Sequence, residues 1–363
     1  MGIGETDFGP PPSARAGLRE AADQRMDKYG PTRGLKPLRE AIAASLLPRN
    51  PCITEKNVMV TSGGTEAVMT AFQSLIDPAS EVLVPDPGFV LYSPDALLVD
   101  AEPVPYHLIE EEGFQPDIEE IKELIGPRTR GIVVNTPGNP TGGTFSLETV
   151  KVLVEIARDN DLVLFSDEVY EHFVYEGEHH SFLPFLDRAV VINSFSKSLG
   201  VTGWRVGYLV ASAENMNHLA KLSYYDIACP STPVQYAVLQ AVKEIPTFMA
   251  NHRLEYRKRR DLMVGRLNEI EGVSCTAPRG AFYAFPSYDW DIHCMDLSHL
   301  LLKAGVITIP GCAFGEYGEY HLRLSYAISE EAIEKGMDIV EAVFKGLKVP
   351  RLSTDQARKG RTC

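Results

Sequence analysis

The chain has 363 residues, 44% of them apolar and 23% charged. It is too long for one small core and too apolar to stay disordered, so two domains are expected. Its 35 basic and 49 acidic side chains leave a net charge of -14, which opposes binding to nucleic acid or to an anionic membrane.

Taken in chain order, the start MGIGETDFGPPP carries neither the basic segment nor the apolar stretch of a signal peptide. Met1-Gly2 with Thr6 fits the loose N-myristoylation pattern, for which residues 4–8 offer a better explanation below. Apolar residues at Ala67, Val68, Ala71, Phe72, Leu75 and Ile76 predict a helix over 65–76. Short apolar runs at 82–84, 132–134, 162–165, 190–192 and 208–210 predict strands buried on both faces. Between them, Leu147, Val150, Leu153, Val154 and Ala157 predict a helix over 146–158 with Ser146 as its N-cap. Strand and helix in alternation mean βαβ units, hence an α/β fold with a mostly parallel sheet covered by helices. Arg257, Lys258, Arg259 and Arg260 in 252–266 read as a solvated helix face rather than a nucleic-acid patch. After about 262 the segments shorten, at 273–276, 282–285 and 322–326, with helical patterns at 296–304 and 330–346, as in a smaller α+β domain. The expected division is a large domain over 14–262, a small domain over 1–13 and 263–349, and a polar, disordered tail over 350–363. No apolar run approaches the roughly 20 residues of a membrane span.

Familiar site patterns are mostly absent. There is no G-x-x-x-x-G-K-S/T phosphate loop and no G-x-G-x-x-G between strand and helix. Six cysteines, at 52, 229, 275, 294, 312 and 363, form no C-x-x-C pair, so neither a zinc ribbon nor a redox motif is visible, and free thiols in a reducing cytoplasm are expected. His179-His180 reads as a surface pair without metal partners, and no metal site is expected. Lys197 differs: it follows a buried strand, among small residues and hydroxyls. Poor solvation there lowers a lysine's pKa and makes its amine a nucleophile. By itself it is equally an ordinary strand-end lysine.

The flanking residues decide between these. Residues 194–207, SFSKSLGVTGWRVG, resemble at every position the pyridoxal-phosphate lysine signature of class I/II aminotransferases, Gly/Ser-apolar-small-Lys-x-x-small-apolar-x-Gly-x-Arg-apolar-Gly. The resemblance runs from Gly4 to about Ala327. GETDF at 4–8 resembles the family's G-E-P-D-F, with Thr6 in place of proline. YGPTRGLKPLR at 29–39, TSGGTEA at 61–67, NTPGNPTG at 135–142, DEVY at 167–170, GAFY at 280–283 and RLSYA at 323–327 follow in the family's order.

The resemblance implies a fold type I pyridoxal-phosphate enzyme, an aminotransferase working as a cytoplasmic homodimer with its sites at the subunit interface. It implies that Lys197 links to the cofactor and serves as the base, that Asp167 keeps the pyridine nitrogen protonated, and that Asn139 and Tyr170 hydrogen-bond the phenolic oxygen. Phe89 is to lie over the ring. Gly64, Thr65, Ser194, Arg205 and, from the neighbouring subunit, Tyr29 are to hold the phosphate. Arg323, with Gly4 and Asn139, is to hold the substrate's α-carboxylate. The chemistry of each residue agrees: a helix N-terminus attracts a phosphate, a buried carboxylate stabilises a ring proton, and a guanidinium fork fits a carboxylate. Other readings exist for several of them: a plain turn at Gly63-Gly64, a helix N-cap at Asp167, core at Phe89, a surface ion pair at Arg323. Family members carry a longer segment before G-E-P-D-F, so the chain is read as naturally short or truncated at its start. Residues 222–230, LSYYDIACP, contain no arginine, and Thr65-Glu66 contains no lysine. No fixed cation is therefore expected for a distal carboxylate, and a broad donor range follows, over aspartate, aromatic and other L-amino acids with a 2-oxo acid such as 2-oxoglutarate as acceptor. Alternatives within and outside the fold are a C–S β-lyase, a catalytically silent cofactor-binding regulatory module, and a cofactor-free binding protein.

Overall fold

The computed structural model describes residues 1–352. Its main sheet has eight strands: β1 (Val58–Thr61), β2 (Glu81–Asp86), β3 (Glu102–Ile109), β4 (Gln115–Pro116), β5 (Thr129–Asn135), β6 (Val163–Asp167), β7 (Ala189–Ser194) and β8 (Gly207–Val210). Their order is β1-β8-β7-β6-β5-β2-β3-β4. The five strands from β7 to β3 run parallel. Strand β8 is antiparallel to both its neighbours, and β4 is an antiparallel edge.

Two apolar clusters cover the sheet, one on each face. Val82, Val84, Val133, Phe165, Val190 and Ile192 pack with Ala67, Val68, Ala71 and Phe72 of helix Gly64–Leu75. Leu83, Ile132, Val134, Leu164 and Val191 pack with Val150, Leu153, Val154 and Ala157 of helix Leu147–Asp159. Adjacent strand residues thus alternate between two dry layers, which is why these strands are continuous apolar runs rather than alternating ones. Ser146 caps the second helix, accepting from Thr149 N at 3.0 Å. Strand β1 is the same kind of run, with Val58 and Val60 in one layer and Met59 in the other, whereas β3 carries none. Strand β3 contains Pro103 and Pro105, tolerated because its outer side pairs with β4 only at Leu108 and Ile109.

Five short strands follow: β9 (Val273–Ser274), β10 (Tyr283–Ala284), β11 (Ser287–Tyr288), β12 (Ile309–Pro310) and β13 (Leu322–Ser325), with helices Cys294–Ala304 and Glu330–Lys345. They form a β10-β13-β12 sheet and a β11-β9 pair. The chain start lies along this part: Ser325 N donates to Met1 O at 2.6 Å, and Arg323 Nη2 to Gly2 O at 2.7 Å. The 24-residue helix Ile245–Asn268 joins the two regions, so a boundary at 262 falls inside it.

That helix corrects one expectation. Arg259 and Arg260 are buried, not part of a solvated face. Arg259 pairs with Asp7 at 2.8 Å, and Arg260 with Glu176 at 2.8 Å and Asp261 at 2.6 Å. The first residues assigned to a disordered tail are also ordered: Pro350 O accepts from Asp291 N at 3.0 Å, and the Arg351 guanidinium stacks 3.8 Å from the Trp290 ring centroid. The rest of that tail, 353–363, lies outside the described residues. Among the described residues no helix is long and apolar enough to cross a membrane.

Candidate active site

Four parallel strands end in polar residues at one rim of the sheet: β2 in Asp86, β5 in Asn135, β6 in Asp167 and β7 in Ser194. Carboxyl ends of parallel strands are where open α/β sheets place their sites. A cavity of about 400 Å³ opens there, walled on the far side by Ile309, Phe314 and Arg323. Asp86 ties the two walls together, accepting from Glu316 N at 2.8 Å and Tyr317 N at 3.2 Å.

Lys197 sits on the single turn Phe195–Ser198 that follows β7. Ser194 caps the turn by accepting from Ser196 N at 3.1 Å. Burial pulls the Lys197 ammonium from 10.5 down to about 8, helped by Arg205 and Arg323 and opposed by Glu5 and Asp167. Its Nζ donates to the carbonyl of Gly4. A Cβ on Gly4 would stand 2.2 Å from the Tyr283 hydroxyl, so a larger residue would fill the space beside the amine.

Another part of the cavity wall suits an anion. Helix Gly64–Leu75 begins there, and its N-cap Gly63 offers no side-chain acceptor. Gly63 has φ +89°, and a Cβ on it would lie 2.5 Å from Arg205 Nη2. The guanidinium therefore lies directly on the helix start, beside the free first-turn N–H groups. Arg205 itself takes a left-handed conformation, φ 52°, at the entry to β8. Gly64, Thr65, Ser194 and Arg205 all line the cavity.

Asp167 lines the same cavity. Its carboxylate accepts from Tyr92 OH at 2.8 Å and Val169 N at 3.2 Å. Burial nonetheless raises its pKa from 3.8 to about 6, against those two hydrogen bonds. Asn135 braces the rim: its Nδ2 donates to Asp167 O at 2.9 Å, and its Oδ1 accepts from Asn139 N at 2.8 Å. Tyr170 and Tyr283 share a hydroxyl–hydroxyl bond of 2.8 Å. Arg323 donates to Asn139 Oδ1 at 3.0 Å and lies 4.5 and 5.0 Å from the Tyr283 and Phe314 ring centroids. Its Nε is buried without a hydrogen-bond partner, which a guanidinium tolerates poorly unless a ligand completes it.

Every residue singled out from the sequence lines this cavity except Tyr29. Tyr29 is 90% exposed and borders a separate surface cleft with Cys229, Pro230 and Thr232. Tyr92, Asn135 and Tyr283 were not foreseen as site residues. Asn135 and Tyr283 lie inside quoted motifs, NTPGNPTG and GAFY, whereas Tyr92 has no local signal. His179 is a correction: it is not a surface residue, since its Nε2 meets the buried carboxylate of Glu168 at 2.8 Å.

The pattern of the family described as aminotransferase class I and II matches residues 1–340. The chain belongs to that family. It is 38% identical to an aspartate aminotransferase of Pyrococcus horikoshii, over 96% of this chain and 91% of that one. It is 35% identical to aromatic-amino-acid aminotransferase 2 of Thermococcus litoralis, over 96% and 92%. A crystal structure of an aromatic aminotransferase from Pyrococcus horikoshii superposes with a TM-score of 0.92 at 36% identity, covering 95% of this chain and 94% of that one. The fold is thus that of the aminotransferases, and the chain is a pyridoxal-phosphate-dependent transaminase. The readings as a silent module or a cofactor-free binding protein fall away.

Proposed function

We propose that this cavity binds pyridoxal phosphate and transfers the amino group of a broad range of L-amino acids to a 2-oxo acid, in a cytoplasmic homodimer. The observation that carries this is the set of groups lining one cavity: an uncapped helix start under Arg205, a buried carboxylate at Asp167, a buried amine at Lys197, and a guanidinium with a free Nε at Arg323. They match a phosphate, a pyridine nitrogen, an aldehyde carbon and a carboxylate in turn. When bound, the cofactor's protonated ring draws electrons from the substrate's α-carbon.

The chain's own groups supply the rest. Gly64 and Thr65 N–H groups, Ser194 and Arg205 hold the phosphate. Asp167, held by Tyr92 and Val169 N, keeps a proton on the ring nitrogen; that positive charge favours the ionised carboxylate despite burial. Asn139 and Tyr170 donate to the phenolic oxygen, and Tyr283 orients Tyr170. Phe89 covers the ring face. Arg323 and Asn139 fix the α-carboxylate beside Gly4, which brings the α-hydrogen within reach of Lys197. That amine, poised near neutrality by burial, takes the proton from Cα. Tyr29 reaches the phosphate of the partner's cavity, which its exposure permits.

The donor range follows from charge. Among the described residues the cations lining the cavity are Lys197, Arg205 and Arg323, each already assigned, so none of these is left for a distal carboxylate. Relatives named for aspartate and for aromatic amino acids agree with this. The test is kcat/KM for aspartate, tyrosine, alanine and methionine with 2-oxoglutarate. The donors should lie within ~30-fold of one another, below what one dedicated charge pair of ~2 kcal/mol would impose. Arg323→Ala should weaken all of them alike, by roughly 2–5 kcal/mol. Exclusive use of aspartate, or unequal losses in the variant, would overturn the assignment.

A further inference from the structure

The fold brings together two cysteines that lie 18 residues apart. Cys294 opens helix Cys294–Ala304, and Cys312 lies on the short turn Gly311–Phe314. Cys312 N donates to Cys294 Sγ at 3.3 Å. Glu319 reaches the same point: its Oε2 is 3.3 Å from Cys294 Sγ and 3.1 Å from His293 Nε2, and its Oε1 accepts from Cys294 N at 2.8 Å. One donor atom from each of His293, Cys294, Cys312 and Glu319 lies within 4.8 Å of every other. We propose that these four residues form a binding site for a zinc-class divalent cation.

The donor set makes the choice of cation. Two sulfurs with one imidazole and one carboxylate suit Zn²⁺ or Co²⁺, whereas Mg²⁺ and Ca²⁺ take oxygen. Bond lengths of about 2.3 Å to sulfur and 2.0–2.1 Å to nitrogen or oxygen give tetrahedral edges of about 3.3–3.8 Å, near the separations already present. The Cys312 N–H group that points at Cys294 Sγ supplies a hydrogen bond to that sulfur, while burial and the nearby Glu319 push the unliganded thiol up; a bound cation would offset both. His293 is 58% exposed at its side chain and Glu319 22%, which leaves a route for the ion from solvent. Binding releases the thiol protons of Cys294 and Cys312 to solvent and displaces the proton between Glu319 and the His293 ring. That proton moves to Nδ1, so the 3.3 Å cap from Met295 N is given up.

A second cluster, Glu168, Glu171 and His179, lacks these merits. Arg49 already neutralises Glu171, and Glu168 is taken up by Ser166 and Phe182 N at 2.9 Å each.

The position gives the ion a structural effect. The turn that holds Cys312 also carries Phe314, which packs 5.0 Å from Arg323 and whose carbonyl accepts from Gly88 N at 2.7 Å. A cation bridging Cys294 and Cys312 fastens this cavity wall to the helix behind it.

The experiment uses untagged holoenzyme kept reduced, titrated with Zn²⁺ by calorimetry and examined by X-ray absorption at the zinc edge. One zinc per chain is expected, with two sulfur neighbours at about 2.3 Å and a raised melting temperature. Cys294→Ser/Cys312→Ser should bind zinc at least ~100-fold more weakly, exceeding the ~10–100-fold effect of outer partners. It should lose the sulfur shell while keeping cofactor absorption. Should that variant misfold, Glu319→Gln and His293→Ala serve instead; each should weaken zinc and retain both sulfurs. Zinc bound through nitrogen and oxygen alone, unchanged affinity in the variants, no binding, or a Cys294–Cys312 disulfide in the reduced preparation would overturn the site.

Discussion

Lys197 shows how burial alone sets a reactivity. Its pKa falls from 10.5 to about 8 chiefly because the ammonium loses water, while the same burial lifts Asp167 to about 6. Both shifts favour the neutral form. For Lys197 the sign is that of a depressed group: the stability present above its unfolded value is lost as pH falls through about 8. Reactivity follows the neutral amine. In cofactor-free protein, competitive acylation of the Lys197 peptide should rise tenfold per pH unit and level off just above pH 8. A rate still climbing towards 10.5 would mean the amine is solvated and the cavity open. The sequence made Lys197 and its neighbours legible because small residues and hydroxyls surround it on one strand end. His179 was not legible, because its partner Glu168 stands on another turn and only the fold joins them.

At the level of elements, the site depends on strand ends meeting at one rim and on two backbones touching. Gly207 opens β8 against the turn before helix Gly64–Leu75. A Cβ there would stand 2.8 Å from Gly63 C, 2.8 Å from Asn193 O and 3.0 Å from Gly64 N. These are backbone atoms and cannot turn aside, so Gly207→Ala must push the phosphate turn away from β8. Overpacking of this kind costs about 1–3 kcal/mol. The variant should melt several degrees lower and bind pyridoxal phosphate more weakly, whereas unchanged affinity would show that the turn can shift freely. The strands that form this rim, β2, β5, β6 and β7, were readable as apolar runs because both faces are dry. Strand β3 was not, since Pro103 and Pro105 argue against a strand unless one edge is free. Nor were the buried Arg259 and Arg260, whose partners Asp7 and Glu176 come from distant segments.

For the whole molecule, the unplaced residue is Tyr29. It is 90% exposed and apart from the cavity, although the aminotransferase resemblance assigns it to a phosphate. Both statements hold if it acts in a second subunit. Exposed Tyr224 and Tyr225, at 59% and 74%, offer further aromatic surface of the kind that interfaces cover. Hybrid dimers separate the two arrangements. Lys197→Ala removes nucleophile and base together, so its homodimer should be inactive by several orders of magnitude. Tyr29→Ala should cost one hydrogen bond to a charged group, about 1.5–3 kcal/mol of cofactor binding, and be poorly active at limiting cofactor. When the two are mixed and allowed to exchange subunits, a Tyr29 that acts across the interface leaves one cavity of each hybrid with both native residues. The other cavity carries both substitutions. Activity at limiting cofactor should then rise well above that of either parent, towards half the wild-type value per hybrid. If Tyr29 acts within its own subunit, each cavity keeps one substitution and mixing gains nothing. Size measurement of the same mixture, showing dimers that exchange, makes the absence of a gain decisive against the shared site.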